Sequence, residues 1–251
     1  MKKFAKKLTA LTLSALLVVA CADTASINQQ SEQTYRQTIN QVRAKGALDN
    51  SSTTAKRIKN VFNHMVPYAK KENKTGVPFN WEINVVKSND LNAWAMPGGK
   101  MVFYTGIVDR LKLSDDEIAV VMGHEMAHAL QEHGKAQHNV GIFTNLGVAL
   151  GKIAMQSAGI AGGELLDTGA TLAISNPYSR SHETEADEVG LFLMAKAGYN
   201  PSAAPVLWQK MRAAGGGSVP TLLSTHPSNE DRQENLQALL PEAMKIYQAK
   251  R

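Results

Sequence analysis

The chain has 251 residues, 43% hydrophobic and 20% charged, enough to bury a core without covalent staples. Its formal charge of +5 is an N-terminal effect, because Lys2, Lys3, Lys6 and Lys7 contribute four of it and the rest carries +1. No basic stripe interleaved with aromatics exists, which argues against a nucleic-acid partner, and a single cysteine excludes an internal disulfide. The chain opens with a cationic segment, residues 1–7, followed by an apolar run, residues 8–20, too short to span a bilayer comfortably.

That run ends Val18-Val19-Ala20-Cys21, which resembles the lipobox of bacterial lipoproteins. There a small residue precedes the cysteine that is acylated and becomes the new N-terminus. The resemblance implies a signal peptide over residues 1–20, lipidation (palmitate among the acyl groups) at Cys21, and about 230 mature residues outside the cytoplasm. Ala22 is not the Asp that marks inner-membrane retention in enteric-type sorting, so the expected place is the outer membrane, facing the periplasm. Residues 23–52, rich in Gln, Ser, Thr and Asn, read as a polar tether with room for a short helix, giving a lipidated N-terminus and tether over 21–52.

From there, residues 55–71 carry Ile58, Val61, Phe62, Met65 and Val66 at helical spacing. Residues 79–86 and 101–105 read as strands, with a turn at Pro97-Gly98-Gly99 between them. Nearly everything after Leu113 reads as helix. A few strands followed by several helices predict an α+β fold that is mostly helical with a small sheet.

Ser114-Asp115-Asp116-Glu117 is a capping box ahead of a helix expected from Asp115 to about His133, with Gly134 as its stop. Inside it lies His124-Glu125-Met126-Ala127-His128, an HExxH pattern. Residues four apart share a helix face, so both imidazoles can reach one ion, while Glu125 is offset and left to handle the proton of an attacking water. His133 is five residues past His128, some 140° around a continuous helix, so it and His138 are expected to be exposed or to sit behind the ligands. Downstream, Ser179-Arg180-Ser181-His182-Glu183-Thr184-Glu185-Ala186-Asp187 opens another helix. Glu183 and Asp187 share a face, so one can bind a metal while the other orients a ligand histidine.

Together the two segments, HExxH followed by S-R-x-x-E-x-E-A-D, resemble the gluzincin metallopeptidases that include the CAAX prenyl endopeptidases and their soluble bacterial lipoprotein branch, read as envelope quality-control enzymes. Asn92-Ala93-Trp94-Ala95-Met96-Pro97-Gly98-Gly99 resembles that family's strand and turn beside the cleft, and Thr225-His226-Pro227 with Arg232 resembles its T-H-P-x-x-x-x-R element. The likeness implies a zincin-like metallopeptidase domain over residues 53–251 that binds one Zn2+ through His124, His128 and Glu183. Glu125 would be the general base and Asp187 a support behind the ligands. Asn92, Ala93, Trp94, Ala95 and Met96 would pair with an extended, unfolded protein substrate. His226 stays open between a turn residue, an oxyanion donor and an occupant of the fourth zinc position. Arg232 is either a helix-surface charge or a donor to the substrate backbone. Residues 139–173, apolar and rich in Gly and Ala, are expected to form buried or cleft-covering helices, and Gly215-Gly216-Gly217 a flexible loop before His226. The helices expected at 202–214 and 228–239 complete the core. The expected function is an envelope-tethered zinc endopeptidase acting on unfolded or misassembled proteins. A zinc-bound chaperone or assembly adaptor is the alternative, and hydrolysis of a non-peptide bond a third.

Overall fold

A computed structural model describes residues 22–139, 178–214, 222, 226 and 230–250. The signal segment with Cys21, most of the 139–173 stretch and the Gly215–Gly217 loop lie outside the described residues.

The helices are α1 Thr24–Ala44, α2 Thr53–Glu72, α3 Thr105–Leu111, α4 Asp115–Leu130, α5 Arg180–Lys196, α6 Ala203–Ala214 and α7 Glu230–Gln248; the strands are β1 Glu82–Val86, β2 Ala93–Met96 and β3 Lys100–Tyr104. The sheet order is β1-β3-β2, with β1 parallel to β3 and β2 antiparallel to it. A mostly helical α+β domain with a small sheet is therefore what the sequence folds into. The β2–β3 connection is built from its residues. Pro97 fits the second position of a turn closed by Gly99 N–H donating to Met96 O (3.2 Å), and Gly98 supplies the positive φ of 80° that the third position requires. β2 lies at an edge of the sheet, beside α4.

One face of the sheet joins α2, α4, α5 and α6 in the main core, through Phe103, Met101, Ile118, Met122, Leu193 and Trp208 among others. α4 is buried from Glu117 to Leu130. It crosses α5 at a glycine pair: a Cβ on Gly123 would meet Gly190 O at 2.6 Å, so only paired glycines allow this approach. That crossing brings the helix of His124 and His128 against the helix of Glu183 and Asp187.

The other face corrects the tether expectation. Residues 24–44 form a capped helix, not a polar strap: Asp23 accepts from Ser26 N–H at its N-terminus, and Ile27, Tyr35 and Ile39 are buried. Tyr35 donates its hydroxyl to Met101 O (2.9 Å) and packs with Val86 and Val102. Below it Lys100 is buried and paired with Glu32 at 2.6 Å. Three apolar residues in a polar segment suffice because the sheet supplies the rest of the surface.

α4 also ends earlier than expected. Its last residue is Leu130, and Glu132 adopts φ 55° before residues 133–139 resume as helix. Gly134 is thus not the stop; it lies where a Cβ would press on Pro97 Cγ at 3.1 Å.

Candidate metal centre

Four buried side chains converge. His124, His128, Glu183 and His226 each offer one ligand atom, all within 4.8 Å of one another. His124 sits mid-α4 and His128 one turn later; Glu183 lies in the first turn of α5, whose N-cap Ser179 accepts from His182 N–H at 3.2 Å. His226 precedes α7; its N–H bonds Leu222 O, and Leu222 N–H bonds Leu91 O, which ties it to the approach of β2.

The inward atoms are consistent. His128 Nε2 is 3.1 Å from His124 Nε2 and 3.3 Å from Glu183 Oε1. His226 Nδ1 is 2.9 Å from Glu183 Oε1 and 3.2 Å from His124 Nε2. Two imidazoles and one carboxylate are the donor set of a catalytic zinc, and each helix histidine has its second ring nitrogen engaged from behind. The residues present fit that metal. His226 offers the fourth potential donor atom, so it lies beside the three expected ligands.

Electrostatics divide the site. Burial lowers the His124 pKa, but hydrogen bonds to Asp187 and Glu183 outweigh it and push it up to about 9. Burial dominates at His128, whose pKa lies well below the usual 6.5, with only Glu183 opposing. Glu183 is held far below the usual carboxylate range: burial raises it, and bonds to His124, His128 and His226 overcome that. Glu125 is raised chiefly by burial. Its Oε1 is buried with no hydrogen-bond partner, 3.4 Å from His226 Nε2, while the Ala95 backbone N–H favours its charged form.

Arg232 corrects both earlier alternatives. It is neither a surface charge nor aimed at a substrate: it is 3% exposed and lies 4.8 Å over the Trp208 ring. Its Nε and Nη2 donate to Asp187 at 2.6 and 2.8 Å, and Nη1 pairs with Glu183 at 2.8 Å. Asp187 in turn bonds His124 Nδ1 at 3.0 Å. Asp187 therefore sits where a support for His124 belongs, and Arg232 holds that support.

The strand is placed in two halves. Ala93 and Ala95 face the main core, whereas Trp94 and Met96 pack against α1, with Trp94 edge-on to Tyr35 at 6.2 Å. Asn92 uses its carbonyl to accept from Tyr104 N–H at 3.2 Å. Side chains of Trp94 and Met96 are thus turned from the metal centre, leaving backbone groups to face a ligand along this edge.

Three further rings surround the helix histidines, of which the sequence points only to His133, as exposed or behind the ligands. Tyr178 stacks on His128 (4.0 Å, 21°), Trp208 meets His124 edge-on (5.9 Å), and His133 lies against His128.

The model of the Peptidase family M48 matches residues 52–240. The chain belongs to this family. It is a family of peptidases, and the donor set fits a metal-dependent member. Among curated relatives, mitochondrial metalloendopeptidase OMA1 of Arabidopsis thaliana is 39% identical over 66% of this chain and 33% of its own length. OMA1 of Schizosaccharomyces pombe is 36% identical, over 65% of this chain and 48% of that one. Metalloprotease LoiP of Escherichia coli is 28% identical, over 74% of this chain and 70% of its own. The chain thus spans about a third to a half of the OMA1 relatives.

Proposed function

We propose that this M48 chain is a lipid-anchored zinc endopeptidase of the cell envelope that cleaves extended segments of unfolded or misassembled proteins, and that His226 keeps it latent. The observation that carries the chemistry is the buried Oε1 of Glu125, which has no hydrogen-bond partner, beside a two-histidine, one-carboxylate donor set. His124, His128 and Glu183 would hold the zinc, which when bound would supply Lewis acidity toward a scissile carbonyl and water. Glu125 accepts the water's proton and passes it to the leaving amine, a task suited to a carboxylate whose pKa burial has raised. An extended substrate adds to the edge of β2 through backbone bonds, which tolerate many sequences.

His226 Nδ1 lies 2.9 Å from Glu183 Oε1 and 3.2 Å from His124 Nε2, close enough to share one ion with them, which supports latency over an oxyanion role. The same placement favours the second reading, a zinc-bound chaperone or adaptor, if the plug never leaves. Casein cleavage decides between them. His226→Ala should raise basal turnover at unchanged zinc content, and Glu125→Gln should keep zinc yet lose nearly all turnover. An inactive His226→Ala with full zinc leaves the adaptor.

The anchor rests on the lipobox-like sequence at Cys21. Ala22 N–H donates to Asn139 Oδ1 at 3.2 Å, and Thr24 Oγ1 to Glu132 at 2.6 Å, so a lipid there would join the domain without a flexible linker. Among the described residues no helix is long and apolar enough to cross a membrane. Cys21→Ser should therefore move the protein from the membrane to the soluble extracytoplasmic fraction; retention after a salt wash would refute the lipid as sole anchor.

A further inference from the structure

His128 is supported by a different kind of partner from His124. The break at Glu132 restarts the chain as helical residues 133–139 and carries His133 back beneath His128. His133 Nδ1 is 2.9 Å from His128 Nδ1, and His133 Nε2 is 3.1 Å from Glu185 Oε2. His133 is 2% exposed and stacks on His182 (4.3 Å, 15°), so its ring plane is fixed.

The proton count along this line has one solution. His128 turns Nε2 toward His124 Nε2 and Glu183, the place a zinc ion would take; with zinc there Nε2 offers its lone pair and Nδ1 carries the hydrogen. At 2.9 Å two N–H groups cannot face each other, so His133 Nδ1 accepts. His133 is then protonated at Nε2, which donates to the Glu185 carboxylate. We infer that His133 and Glu185 are positioning residues: a carboxylate–imidazole relay that fixes the tautomer and ring orientation of His128 for zinc. This rests on the zinc reading of the site. The relay is not a hydrophobic filler, because every nitrogen on its path has a partner that only one tautomer satisfies. Its outer end differs from its inner end: the Glu185 side chain is 51% exposed, so the last acceptor stands in water.

The test uses the full chain in detergent, with zinc affinity read by chelator competition and ring tautomers by long-range proton–nitrogen spectra of the zinc-loaded protein. The spectra should show His128 with hydrogen on Nδ1 and His133 with hydrogen on Nε2. His133→Phe keeps an aromatic ring but no acceptor, and should weaken zinc binding about 10- to 100-fold. Glu185→Leu, at a site too exposed to threaten folding, should weaken it in the same direction by less. Glu185→Gln should restore it, since an amide oxygen still accepts from Nε2–H. Hydrogen on His133 Nδ1 would overturn the relay, as would unsubstituted affinity in Glu185→Leu. A wild-type chain that fails to bind zinc at all would instead overturn the metal reading on which the relay depends.

Discussion

His124 and His128 stand one helical turn apart, are both buried, and face the same donors, yet their supports are opposites. Behind His124 is an ionic clamp: Asp187 takes two bonds from Arg232, and Arg232 also pairs with Glu183 and lies over Trp208. All of these groups are buried. Behind His128 is a neutral imidazole whose own partner, Glu185, reaches solvent. Burial pushes both histidines toward neutrality, and the anionic clamp reverses that at His124 alone, raising it to about 9 while His128 stays well below 6.5. A charged support thus sets protonation as well as orientation. A neutral one sets tautomer and orientation but leaves the ring uncharged.

The clamp should be far more expensive to break than the relay. Arg232→Met keeps much of the side-chain volume and leaves the Asp187 and Glu183 carboxylates buried without their cation. Removing one partner of a buried ion pair costs about 3–5 kcal/mol, so urea unfolding of the zinc-free chain should show a loss of that size. Glu185→Leu should stay within about 0.5 kcal/mol, as surface substitutions do. Equal losses for the two would erase the asymmetry.

This asymmetry was only partly legible in the sequence. The HExxH spacing and the Glu183–Asp187 spacing are local, so a helix period places each pair on one face without knowledge of the fold. For His133 the sequence leaves two places open, exposed or behind the ligands; the angular count on a continuous helix cannot choose, and the left-handed Glu132 decides for the place behind His128. Arg232 escaped because burial of a cation in a polar first turn depends on Trp208 and Asp187 arriving from α6 and α5. Residues 24–44 read as a polar tether with room for only a short helix because Ile27, Tyr35 and Ile39 are a weak pattern without the sheet face that Tyr35 and Ile39 meet. The strand 93–96 was placed well, but which side chains turn inward follows from its pairing with β3.

The protonation difference gives a sharper test. In the zinc-free site His124, with a pKa of about 9, carries a proton at pH 7, whereas His128 is neutral. Zinc must displace the His124 proton, so this group makes affinity fall about tenfold per pH unit as pH drops below 9. Calorimetry in buffers of different ionisation heat should find about one proton released per zinc at pH 7. Asp187→Asn removes one of the two carboxylates that raise the His124 pKa, leaving Glu183, and proton release should fall below that of the unsubstituted chain. Two protons released, or unchanged release in Asp187→Asn, would contradict the division between the supports.

The smallest expected effect is a control on all of the others. Ser114 caps α4 ten residues before His124: its Oγ accepts from Glu117 N–H at 3.2 Å, and the Glu117 carboxylate accepts from Ser114 N–H at 2.8 Å. Ser114→Ala removes one half of this box and should destabilise the chain by about 1 kcal/mol. Glu117 keeps its pairing with Lys210 at 2.7 Å, so the helix start should remain in place. Nothing in the box touches Asp187, Arg232, His133 or Glu185, and zinc affinity and proton release should therefore match those of the unsubstituted chain. The clamp and relay variants are interpretable only on that condition. If a small loss of stability at the far end of α4 also weakened zinc binding, the losses in Glu185→Leu and Asp187→Asn would report a loosened helix rather than a misdirected imidazole.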